Sequence, residues 1–291
     1  VTHDIAGIFI DGRYRVQVRA EVADTFTPVH WPEQQLGPWL AEQLEVGARI
    51  AYDPWLHTVS EISGLRETRS DMTFVASENL IDGIWHDQPA APDAPFMAHA
   101  IEHAGESHVN KRKRLSEKMM SDAVILTLPD SIAWLLNIRG TDIERNPVPQ
   151  AFAIFHKDGR VDLFAGAHKA DRISDHLGDD VSVLDIDTFS VALSALSGRI
   201  LVDTKTCPDA VATLLKDAGC EVIEGTDPCI LPKACKNQTE IEGAKAAHAR
   251  DAVAMVRFLA WLDAEAPKGN LNEIDVVTAL EAFRRQTNAL R

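Results

Sequence analysis

The sequence predicts an α/β fold, a mixed sheet with flanking helices, in a module that the chain carries twice. Short apolar runs alternate with amphipathic stretches of helical period, which is the pattern of strands interleaved with helices. The same landmarks recur in one order. Ile8-Phe9-Ile10 before Asp11-Gly12-Arg13 is answered by Ala153-Ile154-Phe155 before Asp158-Gly159-Arg160, 147 positions later. Arg49-Ile50-Ala51-Tyr52-Asp53 is answered by Arg199-Ile200-Leu201-Val202-Asp203, and Leu80-Ile81 by Ile230-Leu231, both 150 positions later. Three ordered matches drifting by three residues indicate duplication.

The second copy reads in full. Val109–Met120 is a helix and Ala123–Leu126 a short buried strand. Asp130 opens a short helix through Ile132, Trp134, Leu135 and Leu136. Phe152–Phe155 and Val161–Phe164 are strands joined by Lys157-Asp158-Gly159-Arg160. Asp-Gly between two apolar runs is a hairpin signal, because glycine accepts positive φ without steric cost. A helix over Asp187–Leu196, a strand over Ile200–Val202, a helix over Ala210–Ala218 and a strand over Glu221–Ile223 complete the unit.

The first copy follows the same order from its own Asp-Gly onward. Gly7–Ile10 and Tyr14–Val18 are expected to be the arms of a hairpin at Asp11-Gly12. Pro38–Leu44 is a helix, Ile50–Tyr52 a strand, Val59–Leu65 a helix and Phe74-Val75 a closing strand. Only ten residues precede its Asp-Gly-Arg, so this copy is expected to lack its front. The expected division is residues 1–88 for the first unit, 89–106 for a linker, 107–234 for the second unit and 235–291 for the start of a third. Pro89, Pro92 and Pro95 mark the linker, since proline continues neither a helix nor a central strand. Asn237-Gln238-Thr239-Glu240 is a capping box opening a long helix to about Asp263. Pro267-Lys268-Gly269 breaks it, and Ile274, Val277, Leu280 and Phe283 mark another. Two helices cannot bury their own apolar stripes, so they read as the opening of a further domain.

Composition narrows the function classes. Among 291 residues, 44 acidic side chains stand against 29 basic ones, a net charge of −15. That balance disfavours partnership with nucleic acid or an anionic membrane surface, both of which require clustered cations. Lys111-Arg112-Lys113-Arg114 is the one dense basic run and reads as a solvated helix start in a domain linker. No apolar stretch long enough to span a membrane occurs, and no signal-peptide pattern opens the sequence. Cys207, Cys220, Cys229 and Cys235 show no metal-ligand spacing and read as reduced thiols. Ser131 has no partners that would make it a nucleophile.

The run Asp130-Ser131-Ile132-Ala133-Trp134-Leu135-Leu136-Asn137-Ile138-Arg139-Gly140, with Asn146-Pro147-Val148, resembles the second domain of three-domain Xaa-Pro aminopeptidases. So do Lys236-Asn237 through Glu242, His248, Arg250–Ala254 and Trp261-Leu262. Asp11-Gly12-Arg13-Tyr14, Asp53-Pro54 and Asp82–Pro89 match the family's first domain. The resemblance covers the whole chain in one register and includes the duplication. It implies two creatinase-type N-terminal domains, the first truncated at its front, followed by the opening helices of a pita-bread catalytic domain. It also implies an enzyme that releases the N-terminal residue from peptides with proline second. The implied cofactors are two manganese ions on two Asp, one His and two Glu, and the implied setting is a cytoplasmic homodimer. The sequence stops before the first of those ligands, so neither a metal ligand nor a catalytic residue is assigned within it, and the chain alone is expected to be inactive. The contrasting reading is a non-catalytic creatinase-like binding or dimerisation module.

Arg13 is the assigned substrate-binding residue, because the family's matching arginine reaches towards the peptide. A guanidinium suits that task by pairing with a carboxylate or donating to carbonyls. Arg160, its repeat partner, reads as a surface residue. His248 reads as a packing histidine on the long helix's apolar stripe, and Trp85, Trp134 and Trp261 as buried anchors. Asp142 is read as an ion-pair partner of Arg139 or as facing a neighbouring subunit.

Overall fold

The computed structural model describes residues 1–166 and 168–287. The first unit runs β1 (Ala6–Asp11), α1 (Gln17–Glu21), β2 (Phe26–Trp31), α2 (Leu36–Gln43), β3 (Arg49–Tyr52), α3 (Val59–Thr68) and β4 (Thr73–Ala76). A connecting stretch holds β5 (Met97–Ala98) and α4 (Ile101–Ala104). The second unit runs α5 (His108–Ser116), β6 (Ala123–Leu126), α6 (Pro129–Leu136), β7 (Ile138–Arg139), β8 (Phe152–His156), β9 (Val161–Ala165), α7 (Ser174–Leu177), β10 (Val181–Asp185), α8 (Phe189–Ser194), β11 (Arg199–Val202), α9 (Asp209–Asp217), β12 (Glu221–Glu224) and α10 (Ile230–Ala234). Two helices follow, α11 (Gln238–Glu265) and α12 (Glu273–Arg285). The expected third region, 235–291, extends past the described residues at 288–291.

The second unit is built on one six-stranded mixed sheet, ordered β10-β9-β8-β6-β11-β12. Its central strand β6 is apolar at every position because helices cover both faces. On β6, Val124 and Leu126 join one core while Ala123 and Ile125 join the other. On β8, Ala153 and Phe155 face the first and Ile154 the second. Asp158-Gly159 makes the expected hairpin: β8 and β9 are antiparallel, and Gly159 sits at φ +92°.

The turn at Asp11-Gly12 is a different structure, and the expected hairpin there is overturned. β1 continues into a 3-10 turn and α1, then pairs in parallel with β2. The parallel pair that precedes β11 and β12 in the second unit is β9 with β10. β1 therefore answers β9, and Asp11-Gly12-Arg13 follows its strand whereas Asp158-Gly159-Arg160 precedes one. Arg160 is thus not the counterpart of Arg13, and the 147-residue match is coincidental. The duplication stands on the remaining topology. In both units a parallel pair is followed by a helix and a second parallel pair, β3 with β4 and β11 with β12. Among the described residues the first unit has no counterparts of β6 and β8, so its strands form two separate two-stranded sheets.

The two units clasp each other through this repeat. Val59 N donates to Cys207 O at 3.0 Å, and Asp209 N donates to His57 O at 2.9 Å. Ser60 N donates to Thr204 O at 2.9 Å, and Ala210 N to Pro54 O at 3.0 Å. Thr58 and Pro208 bridge at the centre. A shift of 150 residues maps each bond onto its partner, so the contact is self-complementary like a two-fold interface. Across it, Tyr52 Oη donates to Asp209 Oδ2 at 2.5 Å and accepts from Arg66 at 3.1 Å. Thr58 also caps α3, in a capping box with Glu61.

The expected linker is ordered by the second unit. Phe96 is fully buried in its core, and β5 pairs antiparallel with β7. Asp142 draws the stretch in further. Its carboxylate accepts from Ala94 N at 3.0 Å and pairs with Lys169 Nζ at 2.5 Å, with both side chains essentially inaccessible to solvent. The expected Asp142–Arg139 pair is replaced, since Arg139 donates to the carbonyls of Ile138 and Ala133. The long helix begins as expected at an Asn237–Glu240 capping box. Asn237 Nδ2 donates to Ala104 O at 2.8 Å, and Asn237 passes so close to Gly105 that a side chain there would collide. His248 is exposed, contrary to expectation, because only Ala254 and Phe258 of α11 are buried. Trp134 is buried as expected, Trp85 is exposed, and Trp261 is half-buried against Phe258.

Candidate functional site

The carboxyl ends of β1 and β2 carry the residue singled out from the sequence. Asp11 ends β1, and its carboxylate accepts from Arg13 N and Arg13 Nε, each at 2.9 Å, and from Arg13 Nη2 at 3.4 Å. These bonds hold the Asp11 carboxyl below its ordinary range and raise the guanidinium. The guanidinium centre lies 5.8 Å from the Tyr14 ring centroid. Arg13 keeps 80% of its side-chain surface exposed, so it is pre-oriented yet free to donate outward. Arg15, two residues on, pairs with Glu33 beyond the end of β2. Arg160 makes a similar pair with Asp158 on the opposite kind of turn, which marks that local geometry as common turn chemistry.

A second concavity, about 800 Å³, lies between the second unit and α11, with His99, Trp134, Arg139, Lys236 and Glu240 in its lining. Sequence reasoning passed over its histidines, which have no distinctive spacing. The ring centroids of His99 and His103 lie 5.9 Å apart, and those of nearby His108 and His176 lie 4.9 Å apart. Desolvation, with Arg139 close by, lowers His99 to about 4. Desolvation, with His176 and Arg112 close by, lowers His108 to about 4. Contrary to the solvated reading of the basic run, Lys111 and Arg112 are buried; burial lowers Lys111 to about 8, where Nζ donates to Asn137 Oδ1 at 2.7 Å and Trp134 O at 3.0 Å.

These histidines set a pH dependence of stability. They are held neutral in the fold, whereas in the unfolded chain they protonate near 6.5. Between about 4 and 6.5 the unfolded state therefore binds more protons, and stability falls as pH falls through that window. Urea unfolding is expected to show a lower midpoint at pH 5.0 than at pH 7.5, with the difference reduced in His108→Gln. A midpoint equal or higher at pH 5.0 contradicts this account.

Among the described residues no group of three or more His, Cys, Asp or Glu side chains could hold a metal ion. The buried thiols Cys207 and Cys229 are pushed up by desolvation, Cys207 to about 12, so neither is a thiolate ligand or nucleophile near neutral pH. Among the same residues no helix is long and apolar enough to cross a membrane.

The class defined by these features is a duplicated α/β module with a self-complementary clasp and an arginine at the carboxyl edge of its first parallel pair. The chain belongs to the creatinase/prolidase N-terminal domain family, whose models match residues 1–84 and 87–240. It is 32% identical to a probable Xaa-Pro aminopeptidase P of Leptosphaeria maculans over 98% of this chain and 51% of that protein. It is 29% identical to aminopeptidase P2 of Arabidopsis thaliana over 98% of this chain and 46% of that protein. Its fold superposes on X-prolyl aminopeptidase of Caenorhabditis elegans, described as a cytosolic enzyme with a di-nuclear active site. The TM-score is 0.86 at 26% identity, over 98% of this chain and 49% of that one. The chain thus spans about half the length of the relatives it matches.

Proposed function

We propose that this chain is the N-terminal half of a metal-dependent Xaa-Pro aminopeptidase, an enzyme that releases the first residue of peptides with proline second. The observation that carries the reading is the whole-chain superposition on an X-prolyl aminopeptidase, at 26% identity and a TM-score of 0.86. In this reading the two ions are manganese and are held by the half of such proteins that this chain does not span. The contribution of this half is substrate access and assembly. Arg13, steadied by Asp11, donates to a carbonyl or carboxylate of the bound peptide and orients it. The finished enzyme is a cytoplasmic homodimer.

The purified 291-residue chain is expected to be catalytically silent towards an Xaa-Pro-Xaa peptide with added manganese. The same chain, extended through the additional length of its relatives, is expected to release the N-terminal residue in a metal-dependent way. Turnover or stoichiometric manganese binding by the shorter chain would overturn the division of labour. An extended chain that cleaves nothing would replace the enzyme by a non-catalytic binding or dimerisation module.

A further inference from the structure

The ends of β1 and β2 form one surface, and ligands of open α/β sheets sit outside the carboxyl ends of parallel strands. Asp11 and Trp31 are register partners at those ends. Two residues earlier on each strand, Phe9 and Val29 pack with Trp39 of α2 in the core of the first unit. Side chains two apart share a face, so Asp11 and Trp31 continue that face past the point where the core stops. Trp31 is left 50% exposed and Tyr14 48% exposed. The Arg15–Glu33 ion pair ties the turn after β1 to the segment after β2. Trp31 is thereby fixed opposite Asp11, the last strand residue before the turn that presents Arg13.

An indole half in water forgoes part of the burial that makes tryptophan favourable in a fold. Here it stands in register with Asp11, the residue whose carboxylate orients a solvent-facing guanidinium. An apolar wall beside a cation is complementary to a bulky apolar side chain carried next to a carboxylate. We propose that Trp31 is a specificity-determining residue, forming the wall of a subsite for the residue that follows proline. The favoured substrates are then Xaa-Pro-Zaa tripeptides with a large apolar Zaa, whose terminal carboxylate meets Arg13. This inference rests on the reading that Arg13 faces substrate in an Xaa-Pro aminopeptidase.

The test compares Ala-Pro-Phe with Ala-Pro-Gly in the full-length protein. Wild type is expected to favour Ala-Pro-Phe. Trp31→Ala is expected to lower the ratio of the two kcat/KM values about tenfold, chiefly through KM for Ala-Pro-Phe, a discrimination that one apolar contact surface can supply. Trp31→Phe should restore most of the ratio, which a purely structural role would not produce. Should Trp31→Ala fail to fold, Trp31→Gln is read in its place against the same ratio. An unchanged ratio, or an equal fall on both peptides, overturns the subsite while leaving the aminopeptidase reading intact. A wild-type protein that cleaves neither peptide overturns both.

Discussion

Asp142→Ala is expected to destabilise the protein by about 3–5 kcal/mol, the cost of stranding a buried charge whose partner has been removed. Lys169 Nζ lies 2.5 Å from Asp142 Oδ2, with no more than 2% of either side chain exposed. Among the described residues the lysine's other hydrogen-bond acceptors are the carbonyls of Pro92 and Gln150, at 3.3 and 3.5 Å. Neutral oxygens at that range cannot replace a carboxylate. The loss spreads along the chain, because Asp142 also accepts from Ala94 N and Gln150 N. Releasing Ala94 loosens the segment that carries Phe96 into the core. The thermal midpoint should fall on the order of 10 °C. Asp142→Asn keeps acceptor and shape but loses the charge, and it should fall between wild type and alanine. A midpoint for Asp142→Ala within about 2 °C of wild type would show that the pair is not what holds this segment.

In the full-length protein, Arg13→Ala is expected to lower kcat/KM for Xaa-Pro peptides about tenfold or more, the scale of one charge-assisted hydrogen bond to substrate. The same change should leave the thermal midpoint within about 1 °C of wild type, since an exposed side chain away from the core contributes little to stability. Arg160→Ala is the control, because it removes a similarly paired arginine from a turn elsewhere in the fold. It should match wild type in both measurements. Unchanged kinetics in Arg13→Ala would reduce the residue to a surface arginine. A marked fall in its midpoint would make its role structural.

Much of the fold was legible in local pattern. The continuous apolar runs of β6, β8 and β11 announced strands buried on both faces, and those strands lie where expected. The capping box at Asn237 located the start of α11 to the residue. Strand β2 was missed because Phe26-Thr27-Pro28-Val29-His30-Trp31 contains a proline and little alternation, and it is held by β1 on one side alone. The stretch after Asp11-Gly12 was misread because Asp-Gly reports a turn without saying which strand comes next. Tyr14–Val18 alternates weakly enough to read as a strand, yet it forms a 3-10 turn leading into α1.

The candidate site divides in the same way. Arg13 could be singled out because it lies in a contiguous motif. Trp31 could not, since its pairing with Asp11 depends on parallel register across the intervening helix. Asp142 could be marked as a charge in a loop, but its partner lies 27 residues away, and Lys169 carries no local sign of burial.

By itself, the sequence determined the α/β class, the duplication, the acidic charge balance and the family, because each is written in composition, periodicity or contiguous motif. Tertiary structure alone decided which strand of the repeat Arg13 follows, which cation Asp142 holds, and how the units clasp at Thr58 and Pro208. Those outcomes depend on contacts between residues distant in the chain. Propensity and pattern act over one or two turns or strands, whereas pairing register and burial are settled only when whole elements pack.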